Sequence, residues 1–203
     1  MNGRNRLQLK QQTHRKILDS AARLLRQRGI SRTSVAEVMK GAGCTVGGFY
    51  AHFPSKQALV QETFRETMGK LRAQLFAGLE DLEPGERLVM VLRRYLSRSH
   101  RDHPSGGCAL PAVVSEIAQG SAKTRGALAA EIADLARELE AVYAPDRDAQ
   151  ARQRGLATLA LLYGGLTLAR AVRGTPLSDQ VLQACRDYGR AALRGLKQGE
   201  ANG

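Results

Sequence analysis

Helical periodicity runs through almost all of the 203 residues and constrains the fold more than any other feature of the sequence. Apolar residues recur at helical spacing between breaks formed by glycine and proline, and no convincing run of alternating polar and apolar residues indicates a strand. Thr13 and Gly29 bound a predicted first helix, and a long helix is expected from Ser55 and Lys56 to Gly78. The sequence therefore predicts an all-α protein of about nine helices.

Two short helices separated by a turn follow the first helix. Ser34 and Glu37 match the capping box, in which a serine oxygen and a glutamate side chain each satisfy a backbone amide of the first helical turn. Gly43 can adopt the left-handed conformation that ends a helix, and Thr45 is placed to cap the next one. This arrangement is the pattern of a helix-turn-helix, whose second helix enters the major groove of DNA.

The positive charge of the chain is concentrated in its N-terminal part. The formal net charge is +12, and residues 1–60 contain eleven lysines and arginines against two carboxylates, an excess of nine. A solvated basic face is the alternative, but confinement of the charge favours a localised site for a polyanion, and nucleic acid is the leading candidate. Arg4, Arg6 and Lys10 are interpreted as a flexible basic arm suited to a DNA backbone.

The cysteines and the apolar runs bear on the cellular compartment. Cys44, Cys108 and Cys185 are odd in number and widely spaced, which is typical of a reducing cytosol and not of a secreted disulfide scaffold. The N-terminus lacks the apolar stretch of a secretory signal, and the most apolar run, Leu156 to Ala169, is short for a membrane span. We therefore expect a cytoplasmic protein with no membrane partner.

A resemblance to a known family is carried by the helix-turn-helix segment. Residues 33 to 59 read T-S-V-A-E-V-M-K-G-A-G-C-T-V-G-G-F-Y-A-H-F-P-S-K-Q-A-L. This segment, with its F-Y-x-H-F-x-S-K core, resembles the TetR family of bacterial transcriptional regulators, and the resemblance covers residues 13 to 65. It implies an N-terminal three-helix DNA-binding domain at residues 10–70 and a C-terminal helical domain at residues 71–203 for ligand binding and dimerisation.

The resemblance also implies how such a protein works. A homodimer would bind a palindromic operator in double-stranded DNA, because two recognition helices one helical turn apart match a two-fold site. Repression is the expected sign, and a small-molecule effector would release the operator. No cofactor is implied.

Adjacent glycines stand in the second helix of this motif. Gly47 and Gly48 cost a helix about 2 kcal/mol relative to alanines, so another requirement must explain them. A helical wheel places Phe49 and Phe53 toward the core and both glycines, with Ala51, on the opposite side. We interpret the glycines as positions where the backbone approaches the DNA closely.

Contacts to DNA are predicted around these glycines. Because glycine offers no side chain for base readout, that role falls to Thr45, Val46 and Tyr50, although the wheel also places Val46 near the core side. The resemblance implies phosphate contacts from Tyr50, His52 and Lys56, with an ordinary surface residue as the alternative in each case. The full predicted set, in which Thr33 and Lys40 are further phosphate candidates, is Thr33, Lys40, Thr45, Val46, Gly47, Gly48, Tyr50, His52 and Lys56.

The last two helices are predicted to bind a second subunit. The run from Leu156 to Ala169 is apolar nearly all round, so it must be buried on more than one side. The resemblance implies a four-helix interface, and the alternative is that these helices complete the core of a monomer. The predicted interface residues are Tyr163, Gly164, Gly165, Leu166, Val181, Cys185, Tyr188 and Ala192.

An effector pocket is implied among the remaining helices. Its candidate lining residues are Phe64, Met68, Met90, Tyr95, Val114 and Tyr163. An apolar core uses the same residue types, so core packing is the alternative at each position.

Other functions compete with this interpretation. His100, His103 and Cys108 could hold zinc, or Cys108 could sense oxidants at a helix start, but terminal histidines more often interact with the helix dipole and we assign no metal. An enzyme is disfavoured, because the chain has no Walker loop and its glycines miss the dinucleotide-binding spacing. A DNA-packaging protein would be basic throughout.

Overall fold

The structure, a computed structural model, describes residues 3–103, 108, 110–143 and 149–200, and every element in these ranges is helical. The predicted all-α fold class is therefore confirmed. The elements are α1 (Gly3–Arg28), α2 (Val35–Gly41), the 3-10 helix η1 (Val46–Ala51), α3 (Lys56–Phe76), α4 (Pro84–Tyr95), α5 (Arg98–Asp102), α6 (Leu110–Ala118), α7 (Ala122–Tyr143), α8 (Ala149–Ala171) and α9 (Pro176–Glu200).

The chain divides into two compact units. The first, called the head, comprises Met1–Lys70 and Pro104–Leu128, and the second, called the body, comprises Leu71–His103 and Ala129–Gly203. The head therefore includes α6 and the start of α7, which the sequence assigned to the C-terminal domain. The division into domains 10–70 and 71–203 by function stays a prediction.

The helix-turn-helix begins with the capping box that the sequence predicts. The Glu37 amide donates to Ser34 Oγ at 3.2 Å, and the Ser34 amide donates to Glu37 Oε2 at 3.0 Å. Gly43, with φ +69°, makes the left-handed turn after α2, a conformation that costs other residues about 1 kcal/mol. Local sequence therefore sets both ends of α2.

The first helix is longer than the sequence predicts. α1 begins at Gly3, so Thr13 is an interior residue whose hydroxyl donates to the Leu9 carbonyl at 2.9 Å and not a cap. Arg4, Arg6 and Lys10 consequently lie in a helix and do not form a flexible arm. The physical reason is that arginine, lysine, leucine and glutamine all favour helix, and no proline or glycine interrupts the segment after Gly3.

The second helix of the motif is a 3-10 helix of six residues, whereas the sequence predicted an α-helix. Thr45 occupies the N-cap position but makes no side-chain capping bond. A segment of six residues is short enough for this tighter coil, and short 3-10 segments are common connectors.

An apolar core holds the head together. Phe49 and Phe53 are each 1% exposed, and their rings stack with centroids 5.8 Å apart. They anchor η1 against a buried cluster that comprises Ile17, Leu18, Ala21, Leu24, Val38, Met39, Phe49, Phe53 and Leu59. This cluster fixes which side of η1 faces outward.

In the body, α8 packs along α9, and α4 packs on both. Gly165 permits this approach, because a Cβ there would lie 2.7 Å from Cys185 Sγ and 3.0 Å from Leu96 Cδ2. At the corner between α8 and α9, the Ser178 hydroxyl donates to the Ala169 carbonyl at 2.7 Å. Arg101 Nη1 donates to both Ser178 Oγ and Asp179 Oδ1 at 2.8 Å, which ties α5 to the same corner.

Membrane crossing depends on helix length and hydropathy. Among the described residues, no helix combines the length and the apolar character that a bilayer span requires.

Candidate nucleic-acid interface

One face of η1 is open to solvent while the other is anchored in the core. Tyr50 is 75% exposed and Val46 is 50% exposed, and Thr45 and Ala51 are exposed as well. The side chain of Val46 thus lies outside the core, and its contact with DNA stays a prediction. The exposed face offers a phenol, a hydroxyl and two small apolar surfaces, which are groups that can contact base edges and thymine methyls.

The glycines of η1 have no structural role that would require them. A Cβ built on Gly47 would meet no atom of the described residues within 4 Å. At Gly48, which is half-buried, it would make ordinary contacts with Thr45 Oγ1 at 3.8 Å and Met39 Cε at 3.9 Å. Neither residue has a positive φ. Within the protein, alanine would fit at both positions.

Two of the predicted phosphate-binding residues are bonded inside the head. Thr33 is 3% exposed, and its hydroxyl donates to the Gly29 carbonyl at 2.8 Å. Lys56 is half-buried, and its Nζ donates to the Ile30 carbonyl at 2.8 Å. A phosphate would have to share or displace these bonds, so both contacts stay predictions.

The other phosphate candidates lie at the two ends of the motif. Lys40 is exposed near the end of α2, and His52 is half-buried directly after η1. Burial lowers the pKa of His52 below its ordinary value, and the nearby charges of His14 and Lys10 lower it further. The buried Nδ1 of His52 has no hydrogen-bond partner among the residues that the structure describes. His52 is therefore predominantly neutral at neutral pH.

The ring of His14, in α1, lies near the ring of His52. Its ring stacks on Phe53 with centroids 4.5 Å apart and lies 5.8 Å from the ring of His52. Its Nε2 lies 2.7 Å from Glu62 Oε1 of α3. The ring therefore links α1, α3 and the end of η1.

A hydrogen-bonded corner of the head was not predicted from the sequence. Glu116 of α6 accepts the backbone amides of Ile30 and Ser31, each at 2.7 Å. Gln57 of α3 donates to Ser121 Oγ at 3.2 Å and to Thr124 Oγ1 at 2.7 Å. These partners are 64 to 86 positions apart in sequence, so no local pattern could have revealed them.

The predicted pocket residues are distributed between the two units. Phe64, Met68 and Val114 lie in the head, and Met90, Tyr95 and Tyr163 lie in the body. Met68 and Tyr95 are 0% and 1% exposed. A pocket that all six would line stays a prediction.

The predicted interface residues differ in their exposure. Gly165 and Leu166 are buried within one chain, where Gly165 contacts α9. Tyr188, at 71%, and Ala192 are exposed. The remaining four, Tyr163, Gly164, Val181 and Cys185, are half-buried.

Exposed leucines that the sequence did not single out lie beside these residues. On α8, Leu156 and Leu168 are 45% and 59% exposed, and Ala160 and Gly164 fall between them at intervals of four. Leu177 at the start of α9 is 51% exposed. Because residues four apart share one face of a helix, α8 presents an apolar stripe that the described part of the chain does not cover.

The metal and redox alternatives gain no support from the described part of the chain. It contains no group of three histidine, cysteine or acidic residues placed to hold a metal ion. Burial lowers the pKa of His100 to about 4, so His100 is neutral at pH 7 and does not act as a cation on a helix dipole. Cys108 is 1% exposed and lies outside α6, which is described from Leu110.

Comparisons with known proteins agree with this geometry. The family model for bacterial regulatory proteins of the tetR family matches residues 17–63. The HTH-type transcriptional repressor KstR2 of Rhodococcus jostii is 34% identical over 88 residues, which are 41% of this chain and 43% of that protein. The HTH-type transcriptional regulator AcrR of Shigella flexneri is 39% identical over 89 residues, which are 42% of this chain and 39% of that protein. These matches thus span less than half of either relative.

A solved structure extends the similarity over nearly the whole fold. A TetR transcriptional regulator from Chloroflexus aurantiacus superposes with a TM-score of 0.78 at 20% identity, covering 92% of this chain and 96% of that one. The expectation that the chain is not an enzyme is confirmed by the regulators that it resembles in sequence. Residues 17–63 therefore resemble the DNA-binding segment of the tetR family of bacterial regulatory proteins, and the helical fold of the chain is similar to that of a solved TetR regulator.

Proposed function

We propose that the protein is a transcriptional repressor that binds a palindromic DNA operator as a homodimer and is released by a small-molecule effector. The observation that carries the DNA-binding part is the exposed face of η1. Phe49 and Phe53 fix this face outward, Tyr50 and Val46 project from it, and Gly47 has open space where any other residue would have a side chain. The concentration of positive charge in residues 1–60 supplies attraction to the phosphates.

In this proposal the protein contacts both the bases and the phosphates of the operator. Thr45, Val46 and Tyr50 contact base edges, while Gly47 and Gly48 let the backbone approach the groove. Phosphate contacts come from the ends of the motif, at Lys40, His52 and Lys56, with Thr33 as a further candidate. A DNA-binding regulator acts where the chromosome is, so we place the protein in the cytoplasm.

The homodimer is supported by the apolar stripe on α8. Leu156, Ala160, Gly164 and Leu168 form this stripe, and Tyr188 of α9 is exposed as well. Contiguous apolar surface of this kind commonly marks a protein interface. Two chains joined here would present two copies of η1 to the two halves of a palindrome.

Release of the operator by an effector requires that the head adopt more than one arrangement. A ligand can shift the head between arrangements only through different affinities for them. Phe64, Met68 and Tyr95 of the predicted set are buried, and aromatic and methionine side chains are the type that binds apolar small molecules. Saturating effector is then expected to weaken operator binding.

Selection of DNA from a random pool tests the function. The purified full chain is incubated with random duplexes at fixed, near-physiological salt, and the bound fragments are sequenced. A palindrome with half-sites about one helical turn apart is the expected result. Enrichment without any motif would mean that binding is only electrostatic, and the proposal would fail.

A further inference from the structure

The loop between α1 and α2 joins the first helix to the helix-turn-helix. It starts at Gly29, whose φ of +78° is the left-handed conformation, and ends at Ser34, the N-cap of α2. Within the loop, the Thr33 amide donates to the Ile30 carbonyl at 3.2 Å. Because α2 leads directly into the turn before η1, the loop lies next to the whole helix-turn-helix in sequence.

Glu116 of α6 binds this loop through both of its carboxylate oxygens. Oε1 accepts the Ile30 amide at 2.7 Å, and Oε2 accepts the Ser31 amide at 2.7 Å together with the Ser31 hydroxyl. Hydrogen bonds to an ionised acceptor are about twice as strong as neutral ones. One side chain therefore satisfies three donors of two consecutive residues.

Lys56 binds the same loop with the opposite charge. Its Nζ donates to the Ile30 carbonyl at 2.8 Å, so the amide and the carbonyl of Ile30 are held by a carboxylate and an ammonium group, respectively. Burial of the Glu116 carboxyl opposes its ionisation, but the hydrogen bonds from Ser31 and Ile30, with the charge of Lys56, outweigh it and lower the pKa of Glu116. Glu116 is thus ionised at neutral pH, as these bonds require.

We propose that Glu116 is a positioning residue for DNA recognition: through a clamp on Ile30 and Ser31, closed by Lys56, it holds the helix-turn-helix in the arrangement that binds the operator. This inference rests on the proposed function and names a determinant of affinity outside the helix-turn-helix. If the loop is free, only a fraction of molecules is arranged to bind, and the apparent affinity falls by that fraction. Glu116 itself needs no contact with DNA.

The direction in which a charge-neutralising substitution changes the affinity for DNA distinguishes this role from simple electrostatics. Removing a carboxylate from a DNA-binding head should by charge alone strengthen binding. Glu116→Gln keeps the shape but turns an amide NH₂ toward one of the loop donors, so the clamp predicts weaker binding instead. We expect about a tenfold loss of affinity for the duplex selected by the wild-type chain. Ser31→Ala, which removes one donor and is milder for folding, is expected to cost about threefold.

Asp19→Asn is the charge-matched control. Asp19 is exposed on α1, and its Oδ1 lies 3.4 Å from Lys70 Nζ. This contact is much weaker than the hydrogen bonds of Glu116. Neutralisation of Asp19 is expected to leave affinity unchanged or slightly raised. All affinities are measured on full chains at one salt concentration, with thermal melts to show that each variant is folded.

Amide hydrogen exchange tests the clamp on Ile30 and Ser31 in the absence of DNA. Glu116→Gln should speed exchange at Ile30 and Ser31 while leaving the α2 amides, such as that of Val38, as in the wild type. Affinity for Glu116→Gln equal to or above that of Asp19→Asn would overturn the proposal, and so would a loss of affinity with unchanged exchange at Ile30 and Ser31. If the wild-type chain selects no motif, the proposed function fails first, and the role of the clamp in recognition fails with it.

Discussion

At Gly47 the requirements of the fold and those of a ligand can be separated. A methyl group on its Cα would meet no described atom within 4 Å, and the residue has no positive φ, so the folded chain would accept alanine. Glycine in a helical segment costs about 1 kcal/mol relative to alanine. A residue that weakens its own helix without a packing reason points to a requirement from outside, and close approach of DNA supplies one.

Gly47→Ala is therefore expected to raise the free energy of unfolding by up to about 1 kcal/mol and to weaken operator binding at least about tenfold. Denaturant unfolding and a binding titration on the same preparation measure the two effects. Gly69→Ala in α3 is the matched control, because a Cβ there also meets no described atom within 4 Å. Operator affinity as high for Gly47→Ala as for Gly69→Ala would remove the close-approach interpretation.

His100 is expected to make the stability of the fold depend on pH. Burial lowers its pKa to about 4, partly offset by its bond to the Tyr95 carbonyl, and the charge of Arg170 lowers it further. The unfolded chain, with an ordinary pKa of about 6.5, then binds more protons than the folded one. His100 therefore stabilises the fold above about pH 6.5, and this contribution is lost as the pH falls toward 4.

The free energy of unfolding of the wild type should fall between pH 6.5 and 4 with up to about 1.4 kcal/mol per pH unit from this residue. His100→Gln should remove that part of the slope. The exposed His103→Gln serves as the control, since it leaves the buried ring in place. Identical slopes for wild type and His100→Gln, measured by urea unfolding at several pH values, would contradict the assignment.

At the scale of elements, α2 is stabilised by a cap encoded within four residues. Ser34 Oγ accepts the Glu37 amide, and Glu37 returns a bond to the Ser34 amide. Ser34→Ala should lower the free energy of unfolding by about 1 kcal/mol. Ser115→Ala on the exposed side of α6 is the control, and it should have little effect. Equal stability of the two variants would show that the cap contributes nothing.

The elements also show what a sequence can predict. The capping box, the turn at Gly43 and the burial of Phe49 and Phe53 depend on residues a few positions apart, and all were predicted. The 3-10 form of η1 was not, because six residues are too few to distinguish a period of 3.0 from 3.6. The hydrogen bonds of Glu116 to Ile30 and Ser31 could not be predicted from the sequence, since they depend on the tertiary fold.

At the scale of the whole molecule, dimerisation is predicted to depend on the apolar stripe of α8 and on the exposed Tyr188 of α9. Leu168→Asp combined with Tyr188→Asp should convert the dimer to a monomer, because each change places a charge in an apolar contact. Light scattering after size exclusion measures the mass. Gln180→Asp on the polar flank of α9, where Arg186 and Arg190 also lie, is the control and should stay dimeric. A double variant with the mass of two chains would exclude this surface as the interface.

Sequence-specific recognition of DNA through η1 is the property that the proposed function requires. Its most direct test is competition between the selected palindrome and a scrambled duplex of equal length and composition, both titrated against the full chain at one near-physiological salt concentration. The palindrome is expected to bind at least about a thousandfold more tightly. Equal affinities for the two duplexes would leave only charge attraction to phosphates and would exclude sequence-specific recognition.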